Sequence, residues 1–172
     1  LSDLIKDDLK LVNNFLISNI KSEVPLIPLL SKYLVNSGGK RIRPALTILF
    51  AKLFGYEYGK RHIKLSACIE FIHMASLLHD DVIDESELRR GKKTANQIWG
   101  NKASILVGDY LFTKAFQIMV TDNDAHVLKV LSDASQTLAQ AEVMQLSLTN
   151  NLDIDKNKYF KVVMPNGETF RT

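Results

Sequence analysis

Apolar residues recur every three or four positions along most of the chain. Residues 2–21 carry Leu4, Ile5, Leu9, Val12, Phe15, Leu16 and Ile20, a spacing that predicts an amphipathic helix. Pro25 and Pro28 mark a break and a new start, and Leu29, Leu30, Tyr33 and Leu34 continue a second helix to Ser37-Gly38-Gly39. Pro44 is expected to open a third helix that runs to Phe54 and stops at Gly55. A fourth runs from about Gly59 into an acidic cluster near residue 84. Residues 85–95 are polar, include Gly91 and read as a loop. Residues 95–99 predict a short helix, 103–120 a strongly apolar one, and Thr121-Asp122-Asn123-Asp124 a turn with capping residues. Residues 125–148 predict a long helix, 150–153 a turn, and 156–164 a last helix capped by Asp155. No stretch alternates with the period of a strand. The expectation for residues 1–172 is therefore one all-α domain, an antiparallel helix bundle with short connections.

Composition narrows the class. The 172 residues are 46% hydrophobic and 24% charged, enough apolar material for one sizeable core. The net charge of +3 suits anionic small ligands and is too weak to argue for nucleic acid. Cys68 is the only cysteine, so no intrachain disulfide is expected, and a cytoplasmic protein fits. No unbroken apolar run approaches the length of a membrane span, and the first residues lack the apolar core of a signal peptide.

Chemistry concentrates where the fourth helix ends. Asp80 and Asp84 are four residues apart and share a helix face, Asp81 lies about 100° further round, and His73 is two turns below Asp80. Stacked carboxylates repel unless a cation lies between them. Mg²⁺ suits oxygen ligands and is usually held by one or two carboxylates plus substrate phosphates. Arg89 and Arg90 follow, and guanidinium forks match phosphate oxygens. The plain alternative is a solvated helix end with scattered ion pairs. A second unusual stretch, Gly-Gly-Lys-Arg-Ile-Arg-Pro (38–44), combines glycines that let a ligand approach the backbone with three cations beside a helix start.

These stretches, with Glu-Phe-Ile-His (70–73), Leu-Leu-His-Asp-Asp-Val-Ile-Asp (77–84), Arg-Arg-Gly (89–91), Val-Gly-Asp-Tyr-Leu (107–111) and Glu-Val-Met-Gln-Leu (142–146), closely resemble the trans-polyprenyl diphosphate synthases of isoprenoid biosynthesis. The resemblance implies a bundle of the isoprenoid synthase type. It also implies a transferase joining isopentenyl diphosphate to an allylic diphosphate, with release of diphosphate. By the same resemblance Asp80 and Asp84 hold Mg²⁺ against the allylic diphosphate, Asp81 assists, and Arg89 binds that diphosphate. Lys40, Arg43, His73 and Arg90 bind isopentenyl diphosphate. The family closes its product tunnel with bulky residues four or five positions before the first aspartate. Here those positions are Ser76 and Ala75, both small, which implies a product longer than geranylgeranyl and around octaprenyl. A homodimer is the family's usual assembly.

The resemblance fades over residues 164–172, and the family's second aspartate-rich motif does not occur in the chain. Asp7-Asp8, flanked by lysines, does not replace it. The expectation is an N-terminal half, completed by a separate C-terminal fragment or acting as an accessory subunit. Apolar faces over 63–79, 103–120 and 125–148 are then expected to be partly open. A further alternative reads His73, His79, Asp80 and Asp109 as an HD-type metal phosphohydrolase. Among the remaining candidates, His79 is assigned to packing beside the acids, and His62 and His126 to the solvent surface. Cys68, Trp99, Met74, Met119 and Met144 are assigned to the core. Asp109 reads either as a helix-end acid, the favoured alternative, or as a residue lining the site, and Glu142 and Gln145 share a helix face for which reaching the pocket is likewise the lesser alternative.

Overall fold

The computed structural model describes residues 2–148 together with Lys156 and Phe160. The chain forms two compact units, Leu1–Asn123 and Asp124–Thr172. Among the described residues of the first unit are helices α1 (Ser2–Asn19), α2 (Leu26–Asn36), α3 (Ile42–Leu53), α4 (Arg61–Ile83), α5 (Ala95–Trp99) and α6 (Asn101–Asp122). A two-stranded ribbon, β1 (Leu88–Arg89) and β2 (Lys92–Lys93), lies between α4 and α5.

Helix α4 is the centre of this unit. Its residues Ile63, Ala67, Phe71, Met74, Ala75 and Leu78 are buried, as are Val107, Leu111, Ala115 and Met119 on α6, Val12 and Leu16 on α1, and Ile20 just after α1. Three contacts fix the direction of α6 against α4. Arg61 at the start of α4 donates two bonds to the Asp122 carboxylate at 2.8 and 2.7 Å, at the end of α6. The Cys68 thiol meets the Ala115 carbonyl at 3.5 Å, and His79 meets the Ile105 carbonyl at 3.3 Å. Rising numbers on α4 pair with falling numbers on α6, so the two helices are antiparallel. Lys52–Asp8 and Arg41–Asn13 set α3 against α1 in the same antiparallel sense.

Burial inside this packing pushes the Cys68 thiol up to about 12, with the Asp122 carboxylate adding to the effect, so Cys68 is a neutral core residue. Met74 and Met119 are also buried, and Trp99 packs edge-on to Tyr33 at 5.2 Å.

Besides shifts of about two residues at the ends of α1, α4 and α6, three differences from expectation have a physical reason. Helix α3 starts at Ile42, two residues before Pro44. Proline is tolerated there because the first-turn N–H groups of a helix lack intrahelical acceptors. Helix α6 extends to Asp122, and only Asn123 (φ 58°) breaks it. Within the expected loop at 85–95, residues 88–93 form a hairpin, with Leu88 opposite Lys93 and Arg89 opposite Lys92. Its two-residue connection, Arg90 (φ 54°) and Gly91 (φ 75°), has the left-handed pair of a type I′ turn. Such a short ribbon has no hydrophobic run to betray it.

His62, expected at the surface, is instead half-buried. Its ring sits edge-on to Tyr56 at 5.2 Å, and Nε2 lies 3.6 Å from Asp8. The polar neighbours in its sequence are on other faces of α4, so linear context misplaced it.

Helix α6 is long and apolar enough on average to cross a membrane, which a search for unbroken apolar runs passes over. One face of it, Val107, Leu111, Ala115 and Met119, is buried here. Residues 63–79, expected to be partly open, expose no large apolar side chain; on α4 only Ile83 does so. Helix α6 does expose Ile105, Leu106, Phe116 and Val120.

In the second unit, α7 (Ala125–Leu148) is capped by Asp124, whose carboxylate accepts the N–H groups of His126 and Val127 at 2.9 and 3.2 Å. His126 is exposed, and no residue of α7, Met144 included, is buried. The turn expected at 150–153 and the helix expected at 156–164 fall outside the described residues, apart from the helical positions Lys156 and Phe160.

Candidate functional site

Helix α2 ends at Asn36, with the Ser37 N–H bonded to the Leu34 carbonyl at 3.2 Å. Gly38 (φ 82°) then turns the chain, and Arg41 (φ 47°) turns it again into α3. The loop between them walls a pocket of about 90 Å³. The opposite walls come from the inner face of α4 and from the hairpin. Lys40, Arg43, His73, Arg89 and Arg90, named from the sequence in three separate segments, all line this one pocket.

Local geometry explains the convergence. The Tyr33 hydroxyl donates to the Lys93 carbonyl, and Thr94 donates its hydroxyl to the Ser86 carbonyl at 2.6 Å, which fastens the hairpin to α2 and to its own base. The left-handed turn then carries Arg90 over Gly39. A Cβ on Gly39 would come within 2.9 Å of the Arg90 guanidinium, so the bare backbone there makes room for it.

His73 sits half-buried among these cations. Burial lowers its pKa first, and the charges of Arg43, Arg89, Arg90 and Arg41 lower it further, to about 4. At neutral pH it is an uncharged imidazole able to donate one hydrogen bond and accept another.

The acidic part adjoins the basic one. Asp80 lies half-buried in the last turn of α4, and Asp84, whose N–H bonds to the Asp80 carbonyl at 2.8 Å, is exposed one turn later. Asp81 is different: its side chain is 2% exposed, and Arg89 grips it with bonds of 2.7 and 3.0 Å. The Asp81 carbonyl also accepts the Asn96 amide at 3.2 Å, which ties α5 to this end of α4. Asp81 thus holds Arg89 in place. The donor set fits a hard divalent cation. Asp80 and Asp84 offer oxygen only, and among the described residues no third His, Cys, Asp or Glu joins a metal-binding group. The remaining ligands would come from water and phosphate, the mode that suits Mg²⁺.

His79 packs its ring on Gly108, where any Cβ would collide with it, and Nε2 lies 3.4 Å from Asp109. This is the packing role expected for it. The structure contradicts the HD-type reading. His73 is ringed by guanidinium groups that repel a metal cation, and His79 is turned to α6. Ala75 is buried, whereas Ser76 is half-exposed and donates its hydroxyl to the His73 carbonyl at 3.0 Å. Glu142 and Gln145 lie on α7, in the second unit.

Two pocket residues that stand inside the motifs, Arg41 and Glu70, were given no role from the sequence. Glu70 is buried one turn before His73, and Arg41 bonds to it at 2.6 Å. A glutamate at an apolar position of a core helix was the available signal, because a buried carboxylate demands a partner.

Comparison with known proteins places these features in context. The sequence model of the polyprenyl synthetase family matches residues 24–166. The octaprenyl diphosphate synthase of Escherichia coli strain K12 is 47% identical over 163 residues, which are 95% of this chain and 50% of that protein. The crystal structure of a decaprenyl diphosphate synthase from Rhodobacter capsulatus superposes with a TM-score of 0.89 at 44% identity, covering 94% of this chain and 50% of that one. A polyprenyl synthase from Caulobacter crescentus CB15, solved with calcium and isoprenyl diphosphate, gives 0.90 at 42% identity, covering 94% and 49%. The chain spans about half the length of the relatives it matches.

Proposed function

We propose the function of this site from one premise: the chain belongs to the polyprenyl synthetase family. The reading is a prenyltransferase that condenses isopentenyl diphosphate with an allylic diphosphate to a long-chain product of around octaprenyl length. The observation that carries it is the convergence of Lys40, Arg43, His73, Arg89 and Arg90 on one pocket, with Arg89 paired to Asp81, the neighbour of Asp80 at the end of α4. A diphosphate is the ligand that needs both a cluster of cations and a metal-holding pair of acids.

The roles proposed are those that resemblance to the family implies. Arg89, fixed by Asp81, presents its guanidinium to the allylic diphosphate. Lys40, Arg43 and Arg90 bind the diphosphate of isopentenyl diphosphate, and the neutral His73 adds a hydrogen bond without further charge. Asp80 and Asp84 would hold Mg²⁺, which when bound supplies charge stabilisation to the departing diphosphate. Breaking the allylic carbon–oxygen bond leaves a carbocation and a diphosphate, so fixed cations near the leaving group lower the barrier. Leu34, Met74 and Leu77 supply apolar wall to the same pocket, and apolar walls keep out water that would trap a carbocation. Ala75 and Ser76 leave room for a long product. A second copy of the chain, or a separate C-terminal fragment, is the partner proposed for it.

The test is incubation of the chain with Mg²⁺, farnesyl diphosphate and labelled isopentenyl diphosphate. Label should appear in extractable lipid and disappear with Asp80→Ala. A second reading, diphosphate binding without condensation, is favoured by the presence of only two metal-facing acids among the described residues. Pyrophosphate binding with no labelled lipid would select it.

A further inference from the structure

Five cations line the pocket, yet they are not equivalent. Arg89 is paired with Asp81 and Arg41 with Glu70. Lys40, Arg43 and Arg90 have no carboxylate partner among the described residues. Arg41 is the more deeply held of the two paired arginines, its side chain 15% exposed and that of Glu70 6%. All three guanidinium nitrogens are in use. Nη1 donates to Glu70 at 2.6 Å, Nη2 to the Val35 carbonyl at 2.8 Å, and Nε to Asn13 at 3.2 Å. One side chain therefore joins α1, α2 and α4 at the point where the pocket loop turns through a left-handed residue. Its neighbours Lys40, in that loop, and Arg43, in the first turn of α3, are the nearby cations without a carboxylate partner among the described residues.

We propose that Arg41 is a positioning residue and not an anion ligand: anchored by Glu70, Asn13 and the Val35 carbonyl, it fixes the 38–41 loop and the first turn of α3 so that Lys40 and Arg43 meet a diphosphate. This rests on the reading of the pocket as a diphosphate site. The anchor also explains a buried carboxylate inside an otherwise cationic pocket. Without Glu70, a fourth loosely held cation would compete with the geometry of the other three. Burial of the pair in place of exposure to solvent fits a fixed joint, since a guanidinium fork loses little freedom for each bond it makes.

The experiment is pyrophosphate titration by calorimetry, with and without Mg²⁺, alongside thermal denaturation. Glu70→Gln separates the alternatives by sign. A ligand arginine restrained by Glu70 would be released, and binding would tighten. A positioning arginine would lose its anchor, and binding should weaken by about tenfold, the loss of one well-aligned charged hydrogen bond. Arg41→Met combined with Glu70→Met removes the pair without stranding a buried charge, so the fold is retained. It should weaken binding to a similar degree at a near-unchanged midpoint. Arg41→Lys keeps the charge but cannot reach three partners, and should fail to restore affinity. Tighter binding by Glu70→Gln, or wild-type affinity in the double variant or in Arg41→Lys, overturns the proposal alone. No pyrophosphate binding by the unaltered chain overturns the diphosphate reading together with it.

Discussion

His73 shows how surroundings set a residue's chemistry. An imidazole ordinarily gains its proton near pH 6.5; burial and the encircling arginines hold this one near 4. A histidine with a depressed folded value binds its proton more readily unfolded. Its contribution to stability is therefore complete above pH 6.5 and is lost as pH falls toward 4. A diphosphate in the pocket offsets the cations, so the His73 pKa should rise on pyrophosphate binding, with proton uptake between those limits. Ring chemical shifts followed by NMR would show both; a free-chain value near 6.5 would refute the first. Ala75 offers a second test. It is 1% exposed, so Ala75→Phe must displace neighbours at a cost of about 1–3 kcal/mol. If its side of α4 borders the growing product, the variant should yield shorter prenyl chains by chromatography. Unchanged product length would remove Ala75 from that role.

The hairpin and α4 carry the site as elements. Gly91 has open space around it but a φ of 75°, so Gly91→Ala meets backbone strain and not a clash. The local cost should be about 1 kcal/mol, concentrated in a ribbon that positions Arg89 and Arg90. Pyrophosphate affinity should fall several-fold while the thermal midpoint barely moves; an equal fall in both would mean the ribbon is not locally separable. The opposite balance is expected at the far end of α4. Asp122 is 4% exposed and paired with Arg61. Arg61→Met leaves that carboxylate buried, and should cost about 2 kcal/mol of stability, moderated by the partial exposure of Arg61. Denaturant unfolding would measure the loss, and pyrophosphate affinity should be unchanged.

As a molecule, the first unit is well cored around α4 yet keeps apolar surface elsewhere. Leu46, Phe50 and Leu53 stand out along α3, with Phe54 at its C-cap, and Ile105, Leu106 and Val120 on α6. In the second unit α7 exposes Val130, Val143 and Leu146. Surface of this kind favours association or dye binding. The chain should raise the fluorescence of an environment-sensitive apolar dye and self-associate at micromolar concentration in sedimentation. A monodisperse monomer without dye response would contradict that.

Helices were readable from periodicity because their pattern is local: 95–99 and 125–148 match α5 and α7 residue for residue. The residue types of the site were readable too, since Asp80, Asp84, Lys40, Arg43, His73, Arg89 and Arg90 cluster in short motifs. Which cation is already held by an acid was not. Arg41 and Arg43 look alike in the chain, but Arg41 is consumed by Glu70, 29 positions away. Asp81 looks like its neighbour Asp80, but Arg89 takes it. The hairpin, the half-buried His62 and the depressed His73 have the same origin. Helix periodicity depends on neighbours three and four residues apart, whereas ion pairing, burial and proton affinity depend on distances in space that only packing sets.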